Sequence, residues 1–286
     1  MTDLPAPFIE RTRRLLGDDY PRFAESLESE SPTSIRLNPS KSTPTGTIGD
    51  PVLWARHGFY LSSRPTFTFD PRLHAGAYYV QEAASMFLNR VIRQYVHEPV
   101  RYLDLCAAPG GKTFTIAERM NNKGRVLAFD LHKNRAGLIE SGAKRLGLDC
   151  IRAGVNNAKV YDEKMPKADK VLCDAPCSGL GVIRRKPEIK YKEPSDFDRL
   201  PEIQYDILKT SAEYVKVGGT LVYSTCTLSR AENDEVADRF LAEHPDFEPA
   251  PLGEAFGSDS GLCRMSITPA KYNSDGFFIA KFIRLR

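Results

Sequence analysis

Two cysteines in separate short motifs are the residues of this chain whose types and surroundings most clearly suggest chemistry. Cys177 lies in the run Asp174-Ala-Pro-Cys-Ser-Gly179, and Cys226 lies in the run Tyr223-Ser-Thr-Cys-Thr227. Both follow a glycine-rich run, Asp104-Leu-Cys-Ala-Ala-Pro-Gly-Gly-Lys-Thr113. Glycines let the backbone come close to a bound molecule, and such a turn at the end of a strand is typical of nucleotide-sized cofactor sites. The pattern therefore predicts thiol chemistry beside a bound cofactor.

The remaining four of the six cysteines are expected to be core or packing residues, although the first of them lies within the glycine-rich run. They are Cys106, Cys150, Cys173 and Cys263. Their spacings match no common zinc pattern, since the C-x3-C pair that ends at Cys177 has no second Cys or His pair nearby. No metal site is predicted.

Length and composition limit the class of protein. A chain of 286 residues, of which 41% are hydrophobic, can bury one large core or one core with a small appendage. No run approaches the roughly 18 apolar residues of a membrane-spanning helix, and the start lacks the pattern of a secretion signal. These features predict a cytoplasmic protein, and we expect a monomer.

Short β-branched runs alternate with helical patterns through the second two-thirds of the chain. Strands are predicted at Arg101 to Cys106, Arg125 to Asp130, Asp149 to Ala153, Lys170 to Asp174 and Thr220 to Ser224. Helices are predicted at about 112–121, 132–146, 196–216 and 230–243, the last opened by a Ser229-x-x-Glu232 capping box. This alternation predicts a parallel sheet covered by helices on both faces.

The two ends of the chain follow other patterns. The apolar run Gly276 to Ile283 is expected to pair with Cys263 to Thr268 as an antiparallel hairpin at one edge of the sheet. Residues 1–75 are interpreted as a small α+β RNA-binding appendage and 76–286 as the main domain. The appendage is predicted to contain a helix from Pro7 to Leu16, strands at Ser34 to Leu37 and His57 to Leu61, and a linker-like stretch from Ser40 to Pro51. A helix from about Val80 to Val96 is predicted to lead into the core of the main domain.

The glycine-rich run and the end of the second core strand together indicate the kind of cofactor. Gly110 and Gly111 permit close backbone approach, and Asp130 is placed to accept two hydrogen bonds from a ribose diol, although it could instead cap the next helix. The run is neither G-x-G-x-x-G nor a complete phosphate-binding G-x-x-x-x-G-K-[ST] motif, which disfavours dinucleotides and nucleoside triphosphates. S-adenosylmethionine fits the short turn better.

Taken in order, the three motifs resemble the Rsm/Nop/Sun family of S-adenosylmethionine-dependent RNA cytosine-5 methyltransferases, of the bacterial small-subunit rRNA type. The resemblance runs from Tyr78 to the C-terminus and includes the block that begins there and Asp275-Gly-Phe-Phe-Ile-Ala280. It implies a Rossmann-like class I methyltransferase fold with a mostly parallel seven-stranded sheet. The family's Pro-Cys motif distinguishes it from enzymes that methylate exocyclic amines.

The resemblance also implies roles for individual residues. Cys226 would add to carbon 6 of cytosine, Cys177 would assist release of the product, and Asp174 would face the base. Lys112 would complete the catalytic group beside the donor. The donor would be surrounded by Cys106, Ala107, Ala108, Pro109, Gly110, Gly111, Lys112, Asp130, Asn157 and Asp174. Asn157 departs from the aspartate usual in the family, and Ala270 stands where many relatives carry histidine.

A basic run directly after the Cys177 motif predicts contact with RNA. Cations with an interleaved tyrosine suit phosphate contact and base stacking, although a solvated loop is the alternative. The predicted RNA-binding residues are Arg184, Arg185, Lys186, Lys190 and Lys192. Small-subunit (16S) rRNA is the first candidate substrate and tRNA the second. An RNA-binding protein of the same fold without catalytic activity remains a further alternative.

Overall fold

Two β-sheets of different size form the framework of the chain. The structure is a computed structural model that describes residues 4–42, 48–93, 100–193, 195–253 and 261–286. The strands are β1 Thr33–Leu37, β2 Asp50–Pro51, β3 Gly58–Leu61, β4 Tyr78–Val80, β5 Arg101–Asp104, β6 Arg125–Asp130, β7 Ile151–Val155, β8 Ala168–Asp174, β9 Val215–Thr225, β10 Phe247–Pro249, β11 Arg264–Ile267 and β12 Phe277–Arg284. The helices are α1 Ala6–Leu16, α2 Tyr20–Ser26, α3 Pro71–His74, α4 Leu88–Arg93, α5 Gly111–Arg119, α6 Lys133–Leu146, α7 Ser195–Asp198, α8 Leu200–Glu213, α9 Asp234–Glu243 and α10 Pro269–Tyr272.

The large sheet has the strand order β7-β6-β5-β8-β9-β12, with β10 and β11 pairing with β12. Strands β5 to β9 are parallel to their neighbours, whereas β12 runs antiparallel to β9. Because β9 occupies one edge of β12, β10 and β11 share its other edge at successive positions. The predicted Rossmann-like class I methyltransferase fold and the C-terminal hairpin are confirmed, but the sheet contains eight strands instead of the predicted seven.

Both faces of the large sheet are buried, as expected where helical crossovers connect parallel strands. Successive residues of β8 alternate between two cores: Val171 packs in the core that contains residues of α8 and α9, and Leu172 packs in the core that contains residues of α4, α5 and α6. Each fully buried aliphatic side chain of this kind contributes about 1.5–3 kcal/mol relative to exposure. This double burial explains why the core strands appear in the sequence as nearly continuous apolar runs.

The small sheet has the order β2-β3-β1-β4, with every neighbouring pair antiparallel. Its last strand, β4, lies beyond the proposed boundary after residue 75, so we now place the proposed boundary after Val80. The helix predicted from Val80 to Val96 is wrong in its first part, since a 3₁₀ turn at Ala84–Phe87 precedes α4. Its last residues, and 43–47 of the linker-like stretch, lie outside the described residues.

Other predicted elements are confirmed with shifted ends. The helix predicted at 196–216 is divided into α7 and α8, and the helix predicted at 230–243 begins at Asp234. The predicted capping box is absent, because the side chain of Glu232 is buried and accepts hydrogen bonds from a neighbouring loop. Within the described ranges, no helix is both long and apolar enough to cross a membrane.

Candidate active site

A cleft of about 520 Å³ opens beyond the carboxyl ends of strands β5, β6, β7, β8 and β9. This is the edge of a doubly wound sheet where ligands bind. Eight predicted site residues line the cleft: Cys106, Ala108, Asp130, Asn157, Asp174, Cys177, Lys186 and Cys226. The other residues of the turn, Ala107, Pro109, Gly110, Gly111 and Lys112, lie in the same loop and at the start of α5 without lining the cleft. The fold therefore brings half of the predicted donor residues and both motif thiols to one cavity, with the other donor residues in the adjoining turn.

The turn between β5 and α5 depends on glycine at Gly110. This residue has a φ of 111°, and a Cβ there would lie 2.3 Å from the ring of Phe114. Thr113, in the first turn of α5, donates a hydrogen bond of 2.7 Å to Asp104 Oδ2 at the end of β5. Burial raises the pKa of Asp104 to about 7. Helix and strand are thus joined at the base of the cleft by a buried polar contact.

Asp130 ends β6 with its side chain almost fully buried at the cleft. Its Oδ1 accepts the backbone N–H of His132 at 3.2 Å, next to the start of α6. A capping role for Asp130 is therefore compatible with the predicted contact to a ribose diol. Arg135 Nη1 lies 3.3 Å from Asp130 Oδ2, while Nη2 of the same arginine donates to the carbonyl of Ala108. Arg135 therefore ties the loops after β5 and β6 together, a role that no local sequence pattern indicated.

Two successive asparagines follow β7 and differ in their partners. Asn157 Oδ1 accepts the backbone N–H of Lys159 at 3.1 Å, which engages it in a local turn. Asn156 Oδ1 is buried at the cleft and has no hydrogen-bond partner among the described residues. Buried polar atoms are almost always paired, so the missing partner makes Asn156 a candidate for contact with a ligand. Both asparagines line the cleft, so Asn156 is a second candidate beside the predicted Asn157.

The two motif thiols form a close pair. Cys177 Sγ lies 3.2 Å from Cys226 Sγ, and the backbone N–H of Cys226 points to Cys177 Sγ at 3.3 Å. Hydrogen bonding by Cys177 lowers the pKa of Cys226 despite its burial, and the same contact raises the pKa of Cys177. The arrangement favours a thiolate on Cys226 and a proton on Cys177.

Asp174 stands beside the thiols and has both oxygens engaged. Lys112 Nζ donates to Asp174 Oδ2 at 2.9 Å, and Ser224 Oγ donates to Asp174 Oδ1 at 2.7 Å. Burial alone would lower the pKa of Lys112, but Asp174 outweighs it and the pKa is raised. Ser224 belongs to the Cys226 motif and was not among the predicted site residues.

Three of the remaining cysteines differ from Cys226. Burial raises the pKa of Cys106 well above its ordinary value, that of Cys150 to about 11 and that of Cys173 to about 12. Such thiols are poor nucleophiles near neutral pH.

The structure places the five predicted RNA-binding cations of the basic run in different surroundings. The side chain of Arg184 is only 3% exposed, and its guanidinium donates to the carbonyl of Ser274. Arg185 pairs with Asp275 at 2.7 Å and lies 3.6 Å from Glu82. Arg184 is thus held inside the protein, whereas Arg185, whose side chain is 29% exposed, is paired at the surface with acidic residues that are remote in sequence.

The three lysines of the run remain candidates for contact with RNA. Lys186 lines the cleft, whereas Lys192 is exposed and lies near the ring of Phe197. Lys190 is half-buried beside Tyr191, which is 70% exposed.

Two family models match the chain. The model of 16S rRNA methyltransferase RsmB/F matches residues 94–283, and that of the N-terminal domain of 16S rRNA methyltransferase RsmF matches residues 4–83. Among curated relatives, the probable ribosomal RNA small subunit methyltransferase B of Bacillus subtilis (strain 168) is 49% identical over 208 residues, covering 70% of this chain and 46% of that protein. Ribosomal RNA small subunit methyltransferase F of Escherichia fergusonii is 31% identical over 300 residues, covering 97% and 62%. The chain therefore spans roughly half to three-fifths of the length of these relatives.

Solved structures agree in fold. A methyltransferase homolog protein from Pyrococcus horikoshii superposes with a TM-score of 0.80 at 29% identity, covering 96% of this chain and 94% of that one. NSun6 from the same organism shares the fold with a TM-score of 0.81 at 20% identity, covering 99% and 98%. Together with the matched family model, which covers most of the chain, these findings identify the chain as a member of the RsmB/F family of 16S rRNA methyltransferases.

Proposed function

We propose that this chain transfers a methyl group from S-adenosylmethionine to carbon 5 of a cytidine in RNA, with small-subunit rRNA as the substrate. The observation that carries the proposal is the pair of thiols 3.2 Å apart at a cleft that also contains Asp130 and Asn156. One thiol suffices for addition to a base, so a second thiol in contact with it supports a step beyond addition. Family membership supports RNA as the substrate.

The cleft fits the proposed methyl donor. Its volume of about 520 Å³ lies within the range of small-molecule sites. Asp130 is placed to accept hydrogen bonds from ribose hydroxyls, and the unpartnered Asn156 oxygen would accept one from the adenine amino group. When bound, S-adenosylmethionine supplies an electrophilic methyl group on a sulfonium centre.

Cys226 would act first, because carbon 5 of cytosine is a poor nucleophile until carbon 6 carries an added group. The Cys226 thiolate attacks carbon 6, and the bond electrons move to make carbon 5 electron-rich. A free cysteine, with a pKa of about 8.5, is mostly protonated at neutral pH. The Cys177 contact lowers the pKa of Cys226 and so increases its reactive fraction.

Asp174 would orient the base during this addition. Its carboxylate is held by Lys112 and Ser224, which limits its rotation. In that position it can accept a hydrogen bond from the cytosine amino group or from protonated N3. Such a preorganised contact stabilises charge that develops on the ring as the adduct forms.

Cys177 would act last, once carbon 5 carries the methyl group. A water molecule then takes the proton from carbon 5, its bond electrons form the ring double bond, and the carbon 6–sulfur bond breaks with its electrons returning to Cys226. Cys177 Sγ lies 3.2 Å from that sulfur and is placed to exchange a proton at this stage. We therefore assign Cys177 to product release.

The test is incubation with S-adenosylmethionine labelled on its methyl group and with small-subunit rRNA, free or as an assembled particle, followed by nucleoside analysis. We expect labelled 5-methylcytidine, with tRNA as the comparison substrate. Cys226→Ala should abolish the product while S-adenosylmethionine binding, measured by calorimetry, stays near that of the parent. Turnover of this variant within about tenfold of the parent, roughly 1.4 kcal/mol of barrier, would exclude Cys226 as the nucleophile.

A further inference from the structure

Glu232 is a buried carboxylate that contacts the loops of both thiols. Its residue exposure is 3%, although it precedes the surface helix α9. Oε2 accepts the backbone N–H of Ser178 at 2.8 Å and the side-chain amide of Gln204 at 2.9 Å. Oε1 accepts the hydroxyl of Ser178 at 2.6 Å and lies 3.4 Å from the Thr227 hydroxyl.

These contacts surround Cys177 on both sides. Ser178, the residue after Cys177, is held directly by Glu232. Gln204, itself fully buried, donates to the carbonyl of Pro176, the residue before Cys177, and to Glu232. The short segment that carries this thiol is therefore fixed through one carboxylate.

The same group reaches the Cys226 segment. Ser178 Oγ and Thr227 Oγ1 lie 2.7 Å apart, so the residues that follow the two cysteines are hydrogen-bonded to each other beside Glu232. Cys177 and Cys226 each lie beyond the end of a strand, and the ladder between β8 and β9 ends at Asp174 and Ser224. The backbone pairing of the sheet thus stops before the thiols, and the side-chain contacts continue it.

A carboxylate suits this position because each of these partners can donate. An amide in its place would direct its own N–H groups at some of the donors. Within the described part of the chain, no cation lies within salt-bridge distance of Glu232, although Arg11 is close enough to feel its charge: burial lowers the pKa of Arg11, and Glu232 opposes that shift. Burying a carboxylate is unfavourable unless its hydrogen bonds are satisfied, and here they are satisfied by groups next to the thiols.

We propose that Glu232 is a positioning residue that holds the Cys177 and Cys226 segments together and thereby sets the separation of the two sulfur atoms. The proposal rests on the proposed function in one respect, because the separation of the sulfur atoms matters for catalysis only if both thiols take part in methyl transfer. Glu232 itself does not contact the cleft and would act through Ser178 and Thr227.

The experiment measures the effective concentration of Cys177 at Cys226 in the full chain. Hydrogen peroxide oxidises the Cys226 thiolate to a sulfenic acid, as the sulfur attacks one peroxide oxygen and hydroxide leaves. The Cys177 sulfur then displaces hydroxide from that sulfur, the disulfide forms, and the displaced hydroxide takes up the thiol proton as water. Added dimedone competes for the sulfenic acid, so peptide mass spectrometry gives the ratio of disulfide to dimedone adduct.

The variants are Glu232→Ala, Glu232→Gln and, as a matched control from the exposed face of α9, Glu235→Gln. We expect Glu235→Gln to keep the parental ratio, because its side chain is exposed. Misplacement of reacting groups by about 1 Å costs on the order of 100-fold, so we expect Glu232→Ala to lower the ratio by about that factor and Glu232→Gln by about tenfold. kcat for methyl transfer should fall in parallel, with S-adenosylmethionine affinity unchanged.

Folded Glu232→Gln with the parental ratio would overturn the proposal, and this variant decides the matter if Glu232→Ala does not fold. The ratio requires no RNA, so it remains informative if the parent methylates no RNA and the proposed function fails. The converse result is a parent that methylates RNA while both Glu232 variants keep the parental ratio and kcat. That result would support the proposed function and exclude the positioning role of Glu232.

Discussion

At the scale of single residues, the two thiols are chemically distinct although both are cysteines in motif positions. The contact between the two sulfur atoms raises the pKa of Cys177 and lowers the pKa of Cys226. Each residue thus depends on the other for its protonation state. Removing Cys177 should therefore slow attack by Cys226, whose pKa it lowers, in addition to removing the proton exchange assigned to Cys177.

We predict that Cys177→Ala permits attack and methyl transfer but slows release, so that protein accumulates as a covalent complex with RNA through Cys226. The reason is that the proton exchange assigned to Cys177 comes after methyl transfer. A denaturing gel should show a slowly migrating, RNase-sensitive band for this variant.

The double variant Cys177→Ala, Cys226→Ala is the control and should give no such band. A band from Cys226→Ala alone would mean that the two roles are exchanged. Absence of a band from either single variant, with methyl transfer retained by both, would contradict the covalent mechanism.

The asparagines after β7 offer a second test at this scale. We predict that Asn156→Ala weakens S-adenosylmethionine binding by about 1–2 kcal/mol, because its buried oxygen would accept a hydrogen bond from the ligand. Asn157→Ala is the matched control and should have a smaller effect, since its oxygen is engaged with Lys159. Calorimetry in which Asn157→Ala loses more affinity than Asn156→Ala would restore the original assignment to Asn157.

At the scale of elements, the segment after Cys177 has two different sides. Leu180, Ile183 and Ile189 pack against Phe8 of α1 and Phe23 of α2. The N-terminal helices therefore pack against the apolar side of this segment, while its lysines lie at the surface or at the cleft.

We predict that replacing Lys186, Lys190 and Lys192 together by Ala weakens RNA binding and lowers its salt dependence. Each lost phosphate contact should reduce the slope of log K against log salt by about 0.7–0.9. Binding titrations at several salt concentrations measure the slope.

The matched control replaces Lys123, Lys164 and Lys167 by Ala and so removes the same number of charges. These lysines are exposed near the amino ends of strands β6 and β8, at the opposite end of the strands from the cleft. This variant should leave the slope near the parental value. If both triple variants change the slope equally, the segment after Cys177 has no specific role in binding RNA and the solvated-loop interpretation applies.

At the scale of the whole molecule, the small sheet is joined to the methyltransferase core by buried polar contacts. Arg36 of β1 pairs with Glu118 of α5, and both side chains are almost fully buried. Arg36 also donates to Gln81 at 2.7 Å, and Asn38 donates to the carbonyl of Leu146 at the end of α6. These contacts hold the two units against each other close to the glycine-rich turn.

We predict that Arg36→Met destabilises the chain by about 3–5 kcal/mol, because it leaves the Glu118 carboxylate buried without its partner. Urea unfolding followed by circular dichroism measures the loss. The double variant Arg36→Met, Glu118→Leu should recover most of it, since no unpaired charge remains. A single variant as stable as the parent would show that Glu118 finds another partner or water.

The sequence by itself determined the alternation of strands and helices in the main domain, the glycine-rich turn and the two motif thiols. The core strands were visible because burial on both faces requires continuous apolar runs, and the helices because one face must be apolar. Gly110 was identifiable because only glycine tolerates its backbone conformation beside Phe114. All of these signals arise from residues that are close together in the chain.

Only the tertiary structure decided which charges and polar groups reach the site. The sequence predicted that Arg184 and Arg185 contact RNA, but the fold places Asp275, about 90 positions away, beside both arginines. The sequence position of Glu232 fits a capping box, but in the structure its carboxylate accepts hydrogen bonds from Ser178 in another loop. Pairing of buried polar groups depends on partners that the fold supplies from remote positions, and no local pattern encodes those partners.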